Sequence, residues 1–561
     1  MSGIRGNTVG TPISPKKILS NGVVFNDTDH NEAGDLAAAF GEETKALGKA
    51  AFAAGAKKTR SGGDENNSSD WLYTEAVGEG SMAAGMGAVA YSRASKSLGY
   101  RTQTGRPKDA EMMGSRTEAG AHGFAEENVG QAAVAVGSDT VATENNAFAG
   151  GYKSKALDKN AFAFGNDVQS TAPASTALGT QTVASGHSSL ADGYNSSATG
   201  DFAVALGINS KASGTSAVVI GENCQATNTN SVAIGQNCIA GGGNSVAIGL
   251  NNNANKYAAT ALGYNNTVSS DYGITLGREN VIQGNTAVAI GIGCASAGSA
   301  SLATGIQTTA NAYASATMGR FTVAAHPYQV VMGQSNQYAN NAIANELLVV
   351  AYGNPNISNG GANVFTVDNQ GNAKSRGQLL SVGADYAEMF EWKDGNPEAE
   401  DRIGYVVTLD GDKIRLAQFD DDILGVISGT AALVGDSASL NWKDRYLTDE
   451  FGRILYDEVE EFVEEEDPET RERIKVSIGF SKYPRINPAY DPESVYTPRE
   501  ERPEWSKVGM MGKLYVRDDG TCVAGGYCAV GADGILTHSE TPTNIRVMKR
   551  TSENIVWVLM K

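Results

Sequence analysis

The sequence predicts a mostly β protein in two parts. The first is a parallel β-roll solenoid with fourteen-residue coils; the second is a separate β-rich α+β domain. Three observations carry this. Glycine recurs every fourteen residues, without a slip, from Gly123 to Gly333. The residues ahead of each glycine alternate large and small with the period of a strand. Composition changes near residue 381, where Trp, Tyr, Pro and charge appear.

A fixed period marks a repeat architecture. The glycines run Gly123, Gly137, Gly151 and onward through Gly235 and Gly249 to Gly333, sixteen in all. Chance does not hold that phase in a chain with 67 glycines in 561 residues. The residue before the glycine is large and apolar, as at Phe164, Leu206, Ile220, Ile234 and Ile248. Two before it stands Ala, as at Ala163, Ala205 and Ala233; three before it is again larger, as at Val204, Val218 and Val232. Large-Ala-large is period two, so each repeat holds a short strand. Ala returns five after the glycine, as at Ala198, Ala212, Ala226 and Ala240, and Asn, Ser and Gly fill the turns. The unit therefore reads as two short strands and two turns. One unit cannot bury its apolar side chains alone, whereas stacked units can. Sixteen coils at about 4.8 Å each give a rod section on the order of 70 Å. So thin a coil has little interior, and several chains packing together to share a core is the expected solution.

The remaining boundaries follow from departures from this pattern. Residues 1–35 fit no period and read as an attachment segment. Residues 36–121 read as degenerate coils, with Gly41 and Gly55, and Gly85 and Gly99, again fourteen apart. The polar stretch Thr59–Asp70 interrupts them as a loop. Residues 122–335 are the regular roll and 336–380 a connector, with a hairpin predicted in Asn363–Leu380. In 381–561, Asp-Gly turns predict strand pairs in Tyr405–Ala417 and Lys513–Val530. Asp457–Ile474 reads as a charged helix with a Pro break, and Tyr483–Trp505 as an extended Pro-rich strap.

Composition excludes several functions. The net charge of −19 argues against nucleic acid and anionic membranes. No apolar run is long enough for a transmembrane helix, so no membrane insertion is expected. The first residues lack the apolar core of a signal peptide, which predicts synthesis in the cytoplasm. The five cysteines form no CxxC pair, so neither a disulfide framework nor a metal site is expected. Cys224, Cys238 and Cys294 each stand three after a repeat glycine and read as small buried side chains, with a ring of thiols in an oligomer as the alternative. Cys522 and Cys528 read as structural. The histidines fall at unrelated phases, Asn26–Asp35 lacks the pattern of a calcium loop, and no cofactor is expected.

The repeat NSVAIG, as it stands at Asn244–Gly249, resembles the head of YadA-like trimeric adhesins. The resemblance covers about residues 80–335 and implies a left-handed parallel β-roll three chains wide. The sequence departs from bacterial adhesins in showing neither a secretory signal nor a membrane-anchoring barrel. Four further stretches, SVGADYAEMFEW (Ser381–Trp392), GYVVTLDGDKIRLA, GKLYVRDDGTC and REERPEW, resemble the self-cleaving chaperone domain that ends certain phage neck-appendage and tail-fibre proteins. That resemblance covers 381–561. It implies a domain that trimerises, guides folding of the repetitive part, and then severs itself near its own N-terminus.

The two resemblances together imply a homotrimeric phage tail-fibre or appendage subunit, made in the host cytoplasm and carried on the virion. Its expected partners are a tail or baseplate protein through the N-terminus and a host cell-surface receptor, glycan or protein. A bacterial or prophage-encoded trimeric adhesin is the alternative. A polysaccharide-degrading tail spike is a further one, but it needs carboxylates clustered on the shaft, where the repeats offer Asn, Ser and Ala. A separate clamp also makes physical sense. Coils fourteen residues apart are near-equivalent, so register is weakly specified, and non-local parallel pairing nucleates slowly.

The implied self-cleavage is of the glutamic type. Asp385 and Glu388 are the residues carried over from the resemblance. One carboxylate would activate water or a nearby side chain, and the other, protonated, would donate to the leaving amide; such a pair needs split pKa values. The cut is expected between Ser381 and Asp385. Some relatives carry Ser directly before the Asp-Tyr pair. Here that position is Ala384, and Ser381 is the substitute hydroxyl. The plain alternative is that Asp385 and Glu388 only solvate or cap the first turn of the domain.

Overall fold

Each fourteen-residue repeat folds as one coil. In the computed structural model, which describes residues 132–337, 345–356, 361–438, 444–466, 472–493 and 495–561 and shorter stretches between 17 and 119, the chain forms two units, Met1–Arg376 and Gly377–Lys561. A typical coil has a five-residue strand, Val232–Gln236, and a two-residue strand, Ile239–Ala240. The long strands stack in parallel, with Val232 beside Val246 and Gly235 beside Gly249. The short strands form a second parallel ladder on the other wall, with Ile239 beside Asn253. Fifteen such long strands follow one another between Val134 and Gln334.

The alternation decides what goes inside. Ala233 and Ala240, from opposite walls, are both fully buried. The large residues flanking the alanines point outward, and Phe164 and Leu276 are about half exposed. With Val168 as an exception, a third interior position, three after each glycine, is polar in most coils. Its side chain donates to the glycine carbonyl of the next coil: Ser196 to Gly207 at 2.7 Å, Asn252 to Gly263 at 2.6 Å and Asn266 to Gly277 at 2.8 Å. Cys238 and Cys294 fill this position, each with its thiol 3.2 Å from the corresponding carbonyl. The cysteines thus belong to a column of buried donors.

Glycine is required on the rung. Gly235 has φ +122°. A Cβ there would fall 1.9 Å from the carbonyl oxygen of Gly249. Two residues after the glycine the chain turns through the left-handed region, where Asn is best tolerated. The asparagines at this turn bond up the edge, Asn195 to Asn209 at 2.8 Å and Asn237 to Asn251 at 3.0 Å.

The degenerate coils join the same ladder, with Gly41 beside Gly55 and Gly99 beside Gly114. The rung ahead of Gly137 is Gly114, whereas Gly123 lies outside the described residues. Most of segment 1–35 and most of the predicted loop Thr59–Asp70 also lie outside them. At the other end Glu346–Tyr352 adds in parallel to Val330–Gln334. Asn363–Asp368 and Ala373–Ser375 then pair antiparallel, which is the hairpin read from the sequence.

The second unit is built from strands β1 Asp385–Glu391, β2 Val406–Asp410, β3 Lys413–Leu416, β4 Gly425–Ile427, β5 Ala431–Gly435, β6 Tyr456–Glu466, β7 Arg473–Pro484, β8 Trp505–Arg517, β9 Tyr527–Val530, β10 Leu536–Ser539, β11 Ile545–Ser552 and β12 Ile555–Met560. The sheet order is β3-β2-β4-β8-β12-β11-β9-β10, with β1 between β8 and β5. The core is Val406, Val426, Leu514, Val516, Ile545, Val556 and Val558, with Trp392, Val407, Ile414 and Val508 beside it.

Three expectations change here. Asp457–Ile474 is no helix: β6 and β7 form a long antiparallel hairpin. Acidic β6 faces the more basic β7, with Arg473 near Glu464. The described residues of this unit hold no α-helix, so its α+β label reduces to β with two 3-10 turns. Lys513–Val530 is not one hairpin, because β8 pairs with β12 whereas β9 pairs with β10 and β11. Cys522 and Cys528, six residues apart, form a disulfide. The Asp-Gly hairpin of β2 and β3 is present as read.

The rung geometry sets a stability test. Gly235→Ala should lower stability by at least about 1–3 kcal/mol in thermal unfolding of the full chain. Gly243→Ala, whose Cβ would meet only an ordinary contact with Tyr257 at 3.4 Å, should stay within about 0.5 kcal/mol of the parent. Equal effects would contradict the rung's steric role.

Candidate functional site

Side chains alternate along β1, and this sorts the two candidate carboxylates. Residues three apart on a strand fall on opposite faces. Asp385, Ala387 and Met389 are buried, while Tyr386 and Glu388 alternate with them on the more open face. The structure therefore does not bring Asp385 and Glu388 together as a pair within one chain.

Asp385 sits at the start of β1 and is only 3% exposed. The Thr430 hydroxyl donates to its Oδ1 at 3.4 Å. The Ser428 hydroxyl lies alongside, while Oδ2 makes no well-formed hydrogen bond. Glycine on β8 makes the space, since a Cβ on Gly509 would fall 2.6 Å from Oδ2. Burial pushes the Asp385 carboxyl above the usual carboxylate range, and the Ser428 and Thr430 hydroxyls offset this only in part. On the other face the Tyr386 hydroxyl donates to Glu388 at 2.5 Å, which raises the tyrosine above its ordinary value.

The bond ahead of Asp385 is also held. Ala384 bonds through its N–H to the Thr430 carbonyl at 3.3 Å, and its own carbonyl accepts from the Lys513 N–H at 3.1 Å. A fixed backbone donor on a carbonyl is the arrangement that stabilises a developing oxyanion. Before it, Arg376–Ala384 forms neither strand nor helix, and Ser381 is exposed, its Oγ accepting from the Gly383 N–H at 3.1 Å. Thr430, Ser428, Gly509 and Lys513 were missed by sequence reasoning. They come from β8 and the β4–β5 turn, and only the fold brings them to Asp385.

The quoted motifs converge around the same strand. β1 runs antiparallel to β8, with Glu391 beside Trp505 and Asp385 beside Gly512. Trp392 is buried, bonds through its indole N–H to Ser506 at 2.9 Å, and carries Arg402 over its ring at 4.4 Å. Arg499 stacks on Trp505 at 4.1 Å and pairs with Asp436 at 2.6 Å. Among the described residues no three His, Cys, Asp or Glu side chains gather as a metal site.

The raised Asp385 pKa has a definite sign. Its contribution to stability is fully present below the unfolded carboxyl value, about 3.9. That contribution is lost as pH rises through the higher folded value. Asp385→Asn should therefore gain stability relative to the parent between pH 4 and pH 7 in thermal unfolding. A difference that does not vary with pH would contradict a buried, proton-retaining carboxyl.

Comparison with known proteins gives matches in two regions of the chain. Residues 335–555 match the Peptidase_G2, IMC autoproteolytic cleavage domain. Stretches between 129 and 277 match the YadA head domain repeat. The pre-neck appendage protein of Bacillus phage B103 is 38% identical over 170 residues, covering 30% of this chain and 18% of its own length. The putative phage-related protein YobO of Bacillus subtilis (strain 168) is 38% identical over 185 residues, 33% of this chain and 21% of its own. The crystal structure of the bacteriophage phi29 gene product 12 C-terminal fragment is 34% identical, covering 32% of this chain and all of that one, at a TM-score of 0.25. The chain thus spans about a fifth of the length of the curated relatives it matches. Stretches of the roll match YadA head repeats, and the C-terminal part of the chain is similar to the Peptidase_G2, IMC autoproteolytic cleavage domain and to part of phage pre-neck appendage proteins.

Proposed function

We propose that the chain is a homotrimeric phage appendage subunit for host-surface attachment, whose C-terminal domain sets the trimer and then cuts itself free near residues 381–385. The outward row of the roll carries this reading. Phe162, Phe164, Ile220, Ile248, Ile274, Leu276 and Ile290 repeat along one wall and stay exposed in the single chain. A monomer rarely leaves so long an apolar row uncovered. Two further copies of the same wall would cover it with matching residues in a closed ring. The appendage relatives support a place on the virion. A tail or baseplate protein at residues 1–35 and a host receptor, glycan or protein, belong to the same proposal.

The cleavage proposal centres on the Ala384–Asp385 bond. Water adds to the Ala384 carbonyl carbon, the C–N bond breaks, and the Asp385 nitrogen takes a proton. The Lys513 N–H holds the carbonyl oxygen. The buried Asp385 carboxyl, which retains its proton at higher pH than usual, is the donor. Glu388 is the proposed acceptor of the proton from water; in the single chain it lies on the opposite face of β1, bonded to Tyr386. Because bond and catalyst share one chain, positioning comes without a binding step. Ser381, in the exposed connector, is the alternative nucleophile.

Purified protein on a denaturing gel should give fragments of about 40 and about 20 kDa from the 58.4 kDa chain. Asp385→Asn and Glu388→Gln should each leave one full-length band. Full-length parent protein after prolonged incubation would sink the cleavage claim, and a cut Glu388→Gln would remove Glu388 from it. Deleting 381–561 should leave aggregated or monomeric roll. Soluble trimer from that truncation would remove the chaperone role.

A further inference from the structure

Three aromatic pairs stand on one corner of the roll, and the fold does not need them there. His187 meets Phe202 at 5.4 Å and 67°, Tyr257 meets Tyr272 at 5.5 Å and 79°, and Tyr313 meets Tyr328 at 5.8 Å and 89°. In each pair the first ring stands six residues before its coil's glycine and the second five before the next glycine. The second position is a turn with left-handed backbone. Phe202, Tyr272 and Tyr328 hold φ of +59°, +57° and +60°. Other coils place Asn146, Asn160, Ser188, Ser216, Asn230 and Asn244 at this position. A bulky ring is disfavoured in that region, whereas Asn is tolerated. Strain of this kind, kept where a relaxed residue would serve, points to function. All three rings are exposed, Phe202 at 56%, Tyr272 at 46% and Tyr328 at 42%.

We propose that these three corners are saccharide-binding subsites. A pyranose ring has a flat C–H face and a rim of hydroxyls. One aromatic ring of an edge-on pair can lie under that face while the other closes its side. At two corners a carboxylate fixes the turn: Asp201 accepts from the His187 N–H at 2.9 Å and Asp271 from the Tyr257 N–H at 2.8 Å. The Asp201 and Asp271 carboxylates at two of the corners disfavour an anionic polymer, so the ligand class is a neutral glycan. The corners lie five and then four coils apart, about 24 and about 19 Å at the strand spacing. A rigid rod with spaced subsites suits a long chain held at several points. This inference names the receptor class for the attachment reading and rests on it.

The test is binding of the full chain to immobilised neutral oligosaccharides of glucose, galactose, mannose and N-acetylglucosamine. At least one should be retained. Single Phe202→Asn, Tyr272→Asn and Tyr328→Asn changes should each weaken retention about tenfold or more, and the triple change should abolish it. The variants should melt at or above the parent temperature and keep its oligomeric state. No retention by the parent, or undiminished retention by the triple variant, overturns the proposal. So does a lower melting temperature or a changed oligomer, because the rings would then be structural. Adsorption of the parent to host cells is read in parallel. Adsorption without glycan retention sinks this inference alone, and absent adsorption sinks the attachment reading.

Discussion

A fourteen-residue coil has room inside for alanine, in a few coils for a valine or for Ile282, and for one more small side chain, and most of the roll follows from that limit. Ala233 and Ala240 meet from opposite walls with nothing larger between them. The glycine rung permits the stacking, because a Cβ at Gly235 would strike the next coil's backbone. Its carbonyl still needs a donor once buried, and the Ser, Asn or Cys three residues after the preceding glycine supplies one. Most large apolar residues are left on the outside, with Val219, Val268 and Ile282 among the few taken in. The apolar surface that would stabilise a globular domain therefore faces away from its own chain, and three-chain packing is the account that gives it a core.

The same regularity creates the register problem. Val-Ala-Ile-Gly at 232–235 and at 246–249 is one stretch written twice, and both sit in equivalent strands. The C-terminal unit has no such degeneracy. Its β8 strand bonds to β1, β4 and β12, with a bulge in the β1 pairing that marks one place along it. A non-repetitive sheet that folds in one way is the natural reference for a repetitive one that folds in many. The exposed connector Arg376–Ala384, placed directly before the held Ala384–Asp385 bond, is where such a reference could be discarded after use.

Most of the roll was legible in the sequence because one physical signal, period two inside period fourteen, was repeated many times. The site was less legible. Asp385 could be named from its motif, but Thr430, Ser428, Gly509 and Lys513 reach it only through the sheet. The opposite orientation of Glu388 was available from strand alternation alone, once Asp385–Glu391 is a strand. The acidic run Tyr456–Glu466 looked helical because its charge is dense and no strict alternation marks it as a strand. Its partner strand Arg473–Pro484, which follows Pro468 in the sequence, decides the matter. Gly123 continued the count of glycines, yet the rung before Gly137 is taken by Gly114.

The central claim is that the outward apolar row is a shared core and not a free surface. The mass of the full chain in solution, measured by sedimentation equilibrium before denaturation, tests it most directly. The account predicts three times the 58.4 kDa of one chain, less about 20 kDa for each C-terminal domain cut off and released. A single-chain mass, with Phe164, Ile248 and Leu276 left open to solvent, would contradict it.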